Sequence, residues 1–92
     1  MKQLQENFIG RGEVKGFIFT QIKKSDFAYI YKVDCDGCEH YEVFKHRENK
    51  HFECISYPKT ASFGVWAWTY KDFDLSFEKF NSLHLESEVL NG

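Results

Sequence analysis

Apolar and polar positions along the chain change period once, and that change divides it into a sheet-forming part and a helix. In Ser62–Leu83, Phe63, Val65 and Ala67 alternate with Gly64, Trp66 and Trp68, a two-residue period that predicts a strand. Phe73, Phe77, Phe80 and Leu83 then recur at steps of four, three and three, which places them on one helix stripe. Asp72 or Asp74 supplies a cap or a first-turn acid.

Upstream the alternation predicts four strands at roughly Glu13–Lys23, Phe27–Asp34, Glu39–Arg47 and His51–Tyr57. Cys35-Asp36-Gly37-Cys38 carries Asp-Gly, the dipeptide suited to a type I′ turn in which both central residues need positive φ. A two-residue loop there pairs Cys35 with Cys38, Tyr31 with Glu42, Ile30 with Val43 and Tyr29 with Phe44. A three-residue loop at Glu48–Lys50 would pair Phe44 with Cys54 and Val43 with Ile55. The expected fold is α+β, an antiparallel meander of four to five strands with one C-terminal helix packed on one face. Residues 1–92 form a single domain, with 1–9 and 86–92 expected to be loose.

These registers sort side chains by face. Phe27, Tyr29, Tyr31, Val33, Phe44, Phe52 and Cys54 fall together, with Glu42 as the one formal charge, and this face is expected beneath the helix. The opposite face should meet solvent or a partner. On it Ile30, Val43 and Ile55 make an aliphatic row beside Lys32, Tyr41 and Tyr57, the predicted partner-binding surface.

Composition narrows the functions. The chain is 42% hydrophobic with 10 Phe, 5 Tyr and 2 Trp, enough bulky material for a small core without staples. A net charge of −2 gives no electrostatic basis for duplex DNA, whose affinity rests on cationic contacts to phosphate. No apolar run approaches the roughly 20 residues of a membrane span. The first thirteen residues lack the apolar stretch of a secretory signal. Three cysteines, an odd number, fit a reducing compartment, so the expectation is a cytoplasmic protein.

Candidate chemistry is sparse. Cys35-x2-Cys38 followed by His51-x2-Cys54 has the ligand types and spacings of a zinc site. The expected meander opposes it by separating Cys54 from Cys38 by roughly 20 Å along a strand. Cys35 and Cys38 are placed for a local disulfide. Asp34, Asp36 and Glu39 around them oppose a thioredoxin-like thiolate. His40, Glu42 and His46 share a face and, with Cys54 or Ser56, contain acid–base and nucleophilic groups, a grouping that alternation alone produces. Gly10-x-Gly12-x3-Gly16 precedes a strand rather than following one, so it is no dinucleotide fingerprint. No cofactor is expected. Trp66 and Trp68 are expected on one face, filling the core or covering a small pocket.

Gly12–Phe17 (GEVKGF), His40–Lys45 (HYEVFK), Ser56–Trp68 (SYP…FGVWAW) and Lys79–Leu83 (KFNSL) resemble small uncharacterised proteins of Bacteroides-type bacteria and their phages or mobile elements. The resemblance spans most of the chain and implies no activity or catalytic residue. It implies a protein partner in a host or phage pathway. The leading expectation is therefore a non-enzymatic protein-interaction module, self-associating through the outer sheet face or a sheet edge. The alternative is a single-stranded nucleic-acid binder using Tyr29, Tyr31 and Phe44 with Lys15, Lys23, Lys24, Lys32, Lys45 and Arg47. Aromatic and basic residues fall mostly on opposite faces, which argues against it. A small zinc-binding module is the third.

Overall fold

A computed structural model describes residues 3–10, 14–49, 54–55 and 57–91. Five strands form an antiparallel sheet: β1 (Asn7–Ile9), β2 (Ile18–Lys24), β3 (Ala28–Cys35), β4 (Cys38–Lys45) and, after an excursion, β7 (Ala67–Tyr70). The excursion holds a two-stranded ribbon, β5 (Glu48–Asn49) with β6 (Cys54–Ile55), and a 3-10 turn at Thr60–Ser62. Among the described residues a single α-helix, α1 (Phe73–Asn91), follows β7. The α+β meander with one C-terminal helix is thus the fold that the alternation predicts.

The β3–β4 hairpin has the expected register at every pair from Cys35↔Cys38 to Tyr29↔Phe44. Asp36 (φ 56°) and Gly37 (φ 90°) both occupy the left-handed region, as a type I′ turn requires. Asp34 Oδ1 accepts the Gly37 N–H at 3.3 Å and steadies the turn. Asp72 caps α1, its Oδ1 accepting the Asp74 N–H at 2.9 Å, and Asp74 supplies the first-turn acid. Helix α1 continues past Leu83 to Asn91.

The fourth expected strand is displaced. Ile55 and Cys54 pair with Glu48 and Asn49, not with Val43 and Phe44, and the partners of Val43 and Phe44 are Trp68 and Ala67. The ribbon leaves the plane of the sheet and folds over one face, so both faces are covered. Over one lie Ile55, Tyr57, Phe63 and Trp66, packed with Phe19, Tyr29, Tyr31, Val33 and Phe44. Over the other lies α1, where Phe80 and Leu83 pack with Ala28, Ile30 and Val43, flanked by Tyr41, Trp68, Phe73 and Phe77.

The helix therefore sits on the face opposite to the expected one. Volume gives the reason. Interiors are close-packed, so a stripe of phenylalanines fits best on small and aliphatic floor residues such as Ala28, Ile30 and Val43. The four large rings of Phe19, Tyr29, Tyr31 and Phe44 take an irregular cover with individually placed side chains. Ile30 and Val43 are fully buried and Ile55 nearly so, at 4% exposure. The predicted surface of Ile30, Lys32, Tyr41, Val43, Ile55 and Tyr57 is consequently not one outward face. Ile30 and Val43 lie under α1, and Tyr41 packs edge-on to Phe73 at 5.6 Å. Ile55 and Tyr57 belong to the opposite core, and Lys32 is salt-bridged to Glu39 at 3.1 Å. The tryptophans also part company. Trp66 packs in the turn beneath Arg47, and Trp68 lies on the helix side beneath Lys79, whose Nζ is 3.9 Å from the ring centre.

Candidate functional site

Tyr57 is the hub of the face away from α1. Its ring meets Phe8, Phe19, Tyr31 and Phe44 edge-on at centroid distances of 5.0–5.6 Å. Its hydroxyl donates to Glu42 Oε1 at 3.0 Å. Burial, the charge of Glu42 and the hydrogen bond to it hold the Tyr57 phenol well above its ordinary range, so it remains a donor. Glu42 is 6% exposed, and its second oxygen lies 3.1 Å from His40 Nε2. An acid on a buried face is tolerated when both its oxygens have donors, which these two neighbours supply.

The chain of contacts continues outward. With Nε2–H donated to Glu42, the lone pair of His40 Nδ1 is left for Cys35 Sγ, 3.9 Å away. The same thiol is also 3.3 Å from the carbonyl oxygen of Cys38, and its one proton reaches either acceptor by rotation about Cβ–Sγ. Cys35, Cys38, His40 and Glu42 share this face through the hairpin register. Cys35 is half-buried and Cys38 exposed, and both are free thiols.

Of the expected acid–base grouping, the structure joins His40 to Glu42 and separates His46. His46 instead stacks on Tyr29 at 5.7 Å, with its Nδ1 3.4 Å from the Tyr29 hydroxyl. Ser56, His51 and the side chain of Cys54 lie outside the described residues, so half of the zinc spacing does too. Among the described residues no cluster of three or more His, Cys, Asp or Glu side chains could hold a metal, and no metal ligand is assigned. Tyr29, Tyr31 and Phe44 are fully buried and offer no ring face to a base. Sequence reasoning missed Tyr57 as the partner of Glu42, because Tyr57 follows a ribbon that leaves the sheet. It also missed Cys35 beside His40, although the Cys35↔Cys38 register places His40 diagonally across from Cys35.

One corner of the sheet carries an exposed apolar pair. Helix α1 packs on β3, β4 and β7. At the other end, Ile9 and Ile18 are cross-strand partners with 67% and 51% of their surface exposed. Strand β1 is one edge of the sheet and β7 the other. The outer side of β7 is partly occupied, since Gly64 N–H donates to the Ala67 carbonyl at 2.7 Å and Phe63 bridges to Ala67. Beside Tyr57 an open hollow of about 600 Å³ is lined largely by Phe8, Ile9, Gly10, Val14 and Phe19. No helix among the described residues is long and apolar enough to cross a membrane. Compared with known proteins, the chain matches no family model, no curated protein and no solved structure.

Proposed function

We propose that the protein is a small interaction module of the cytoplasm that associates with a second copy of itself through the β1 edge. One observation carries this reading: the apolar pair Ile9 and Ile18 is exposed beside the edge strand β1. An edge strand offers unpaired backbone groups, and antiparallel pairing of two β1 strands is self-complementary about a two-fold axis. Each copy would bring its own Ile9 and Ile18 to the seam, so apolar burial would accompany the backbone bonds. A net charge of −2 opposes such a contact only weakly. Three residues make a short edge, so the association is weak and concentration-dependent.

Sedimentation velocity at two protein concentrations tests it. The expected result is a shift toward twice the monomer mass at the higher concentration, lost in Ile18→Lys. A wild-type protein that sediments as a monomer throughout the range overturns the reading.

A further inference from the structure

We propose that Cys35 and Cys38 are a redox-active dithiol that reduces accessible disulfides, with Cys35 as the attacking sulfur and His40 as its base. Three observations converge. The His40 Nδ1 lone pair faces Cys35 Sγ at 3.9 Å, while its Nε2 is held by Glu42 at 3.1 Å, and Tyr57 holds the other Glu42 oxygen at 3.0 Å. This is a thiol, a base and an orienting acid in sequence, the arrangement that activates a nucleophile on unrelated folds. Cys38 is the direct cross-strand partner of Cys35, and directly paired residues have Cα separations within disulfide range. Both thiols reach solvent.

The acids around the pair are mostly engaged elsewhere. Asp34 accepts the turn N–H of Gly37, and Glu39 is salt-bridged to Lys32 at 3.1 Å. Asp34 and Glu39 are cross-strand partners on the opposite face from Cys35 and Cys38, leaving Asp36 at the exposed tip. The titratable groups facing His40 are Cys35 from β3, Glu42 from its own strand and, behind Glu42, the protonated Tyr57.

The chemistry balances without another reactant. The Cys35 proton passes to His40 Nδ1, and the thiolate attacks one sulfur of a substrate disulfide, RS–SR. A mixed disulfide forms, the RS–SR bond breaks, and the departing RS⁻ takes the proton back from His40. Cys38 then loses its proton to solvent, and its thiolate attacks Cys35 Sγ. The second RS⁻ leaves and is protonated. Two electrons have moved: RS–SR becomes two RSH, and the dithiol becomes the Cys35–Cys38 disulfide. Residue roles follow: Cys35 and His40 touch the reacting atoms, and Glu42 and Tyr57 position His40.

The test is site-resolved reaction of the full chain with the aromatic disulfide 5,5′-dithiobis(2-nitrobenzoate), each thiol followed by peptide mapping. An ordinary thiol is only a few per cent ionised near neutrality. Cys35 is therefore expected to react roughly tenfold faster than Cys38 at about pH 7. His40→Gln should reduce that rate to the Cys38 level, and Cys38→Ser should trap the mixed disulfide on Cys35. In wild type the rate–pH profile of Cys35 should extend to lower pH than that of Cys38 across about pH 5 to 9. This measurement needs no variant to fold. Because Glu42 acts through His40, Glu42→Gln should shift that profile toward the one for Cys38. Superimposable profiles for the two wild-type thiols, or oxidation that yields no Cys35–Cys38 bond, overturn the proposal.

Discussion

Ser25 and His84, 59 residues apart, share a 2.6 Å hydrogen bond that ties α1 to the β2–β3 turn. Ser25 Oγ accepts the N–H groups of Phe27 and Ala28 at 3.1 and 3.2 Å, so its own proton goes to His84 Nε2. His84 Nδ1–H then donates to the Phe80 carbonyl at 2.7 Å. Each ring nitrogen has one role, which fixes the neutral tautomer. Replacing His84 with Ala is expected to cost about 1–3 kcal/mol, since a partly buried hydroxyl is left short of a partner. A double-mutant cycle with Ser25→Ala, read from urea midpoints, should show coupling of about 1 kcal/mol.

Removal of one oxygen atom tests the Glu42 network. Tyr57→Phe keeps the four edge-on ring contacts but leaves Glu42 Oε1 without its donor. The expected loss is about 1–3 kcal/mol in urea unfolding. Tyr57→Ala removes the ring as well and should cost about 3–5 kcal/mol.

Val43→Glu distinguishes the two covers directly. Val43 is fully buried beneath α1, so a carboxylate there is desolvated without a partner. Destabilisation above about 4 kcal/mol, or failure to fold, is expected by circular dichroism and thermal melting. A neutral effect would mean that Val43 faces water.

Alkali should destabilise the protein. Burial raises the phenol of Tyr31 to about 12 from an ordinary 10.0, and it shifts Tyr29 and Tyr57 upward as well. Below about pH 10 these phenols are protonated in both states and their contribution is fully present. Above it the unfolded chain loses protons that the folded chain keeps, so stability falls with rising pH, for Tyr31 between about pH 10 and 12. Tyr31→Phe should reduce the slope of urea midpoint against pH in that window. The same variant gives up the hydrogen bond to the Gln5 carbonyl at 2.6 Å, so its midpoint should be lower at neutral pH too.

The parts of this architecture legible in the sequence are those set by neighbours along the chain. Asp36-Gly37 fixes the hairpin register because two positive φ values admit few residues. Phe73, Phe77, Phe80 and Leu83 announce the helix by spacing alone. The side on which the helix settles is not local information. It depends on the match between phenylalanine volume and Ala28, Ile30 and Val43, and on a ribbon whose two pairs are too few to show as a periodic pattern. Glu42 was visible as the odd charge on an apolar face, but its partner Tyr57 came from that same ribbon. The Cys35–His40 proximity was contained in a register read correctly, one diagonal away from the pair that drew attention.

The cap that Gly64 places on Ala67 bears on how far association can run. Were both borders of the sheet equally open, copies could add strand by strand in one direction, and the product would be a fibre. With Ala67 on the β7 border already engaged, β1 is the more open border, and a pair formed there would cover it. An assembly built at β1 alone would terminate at a pair rather than grow into a fibre.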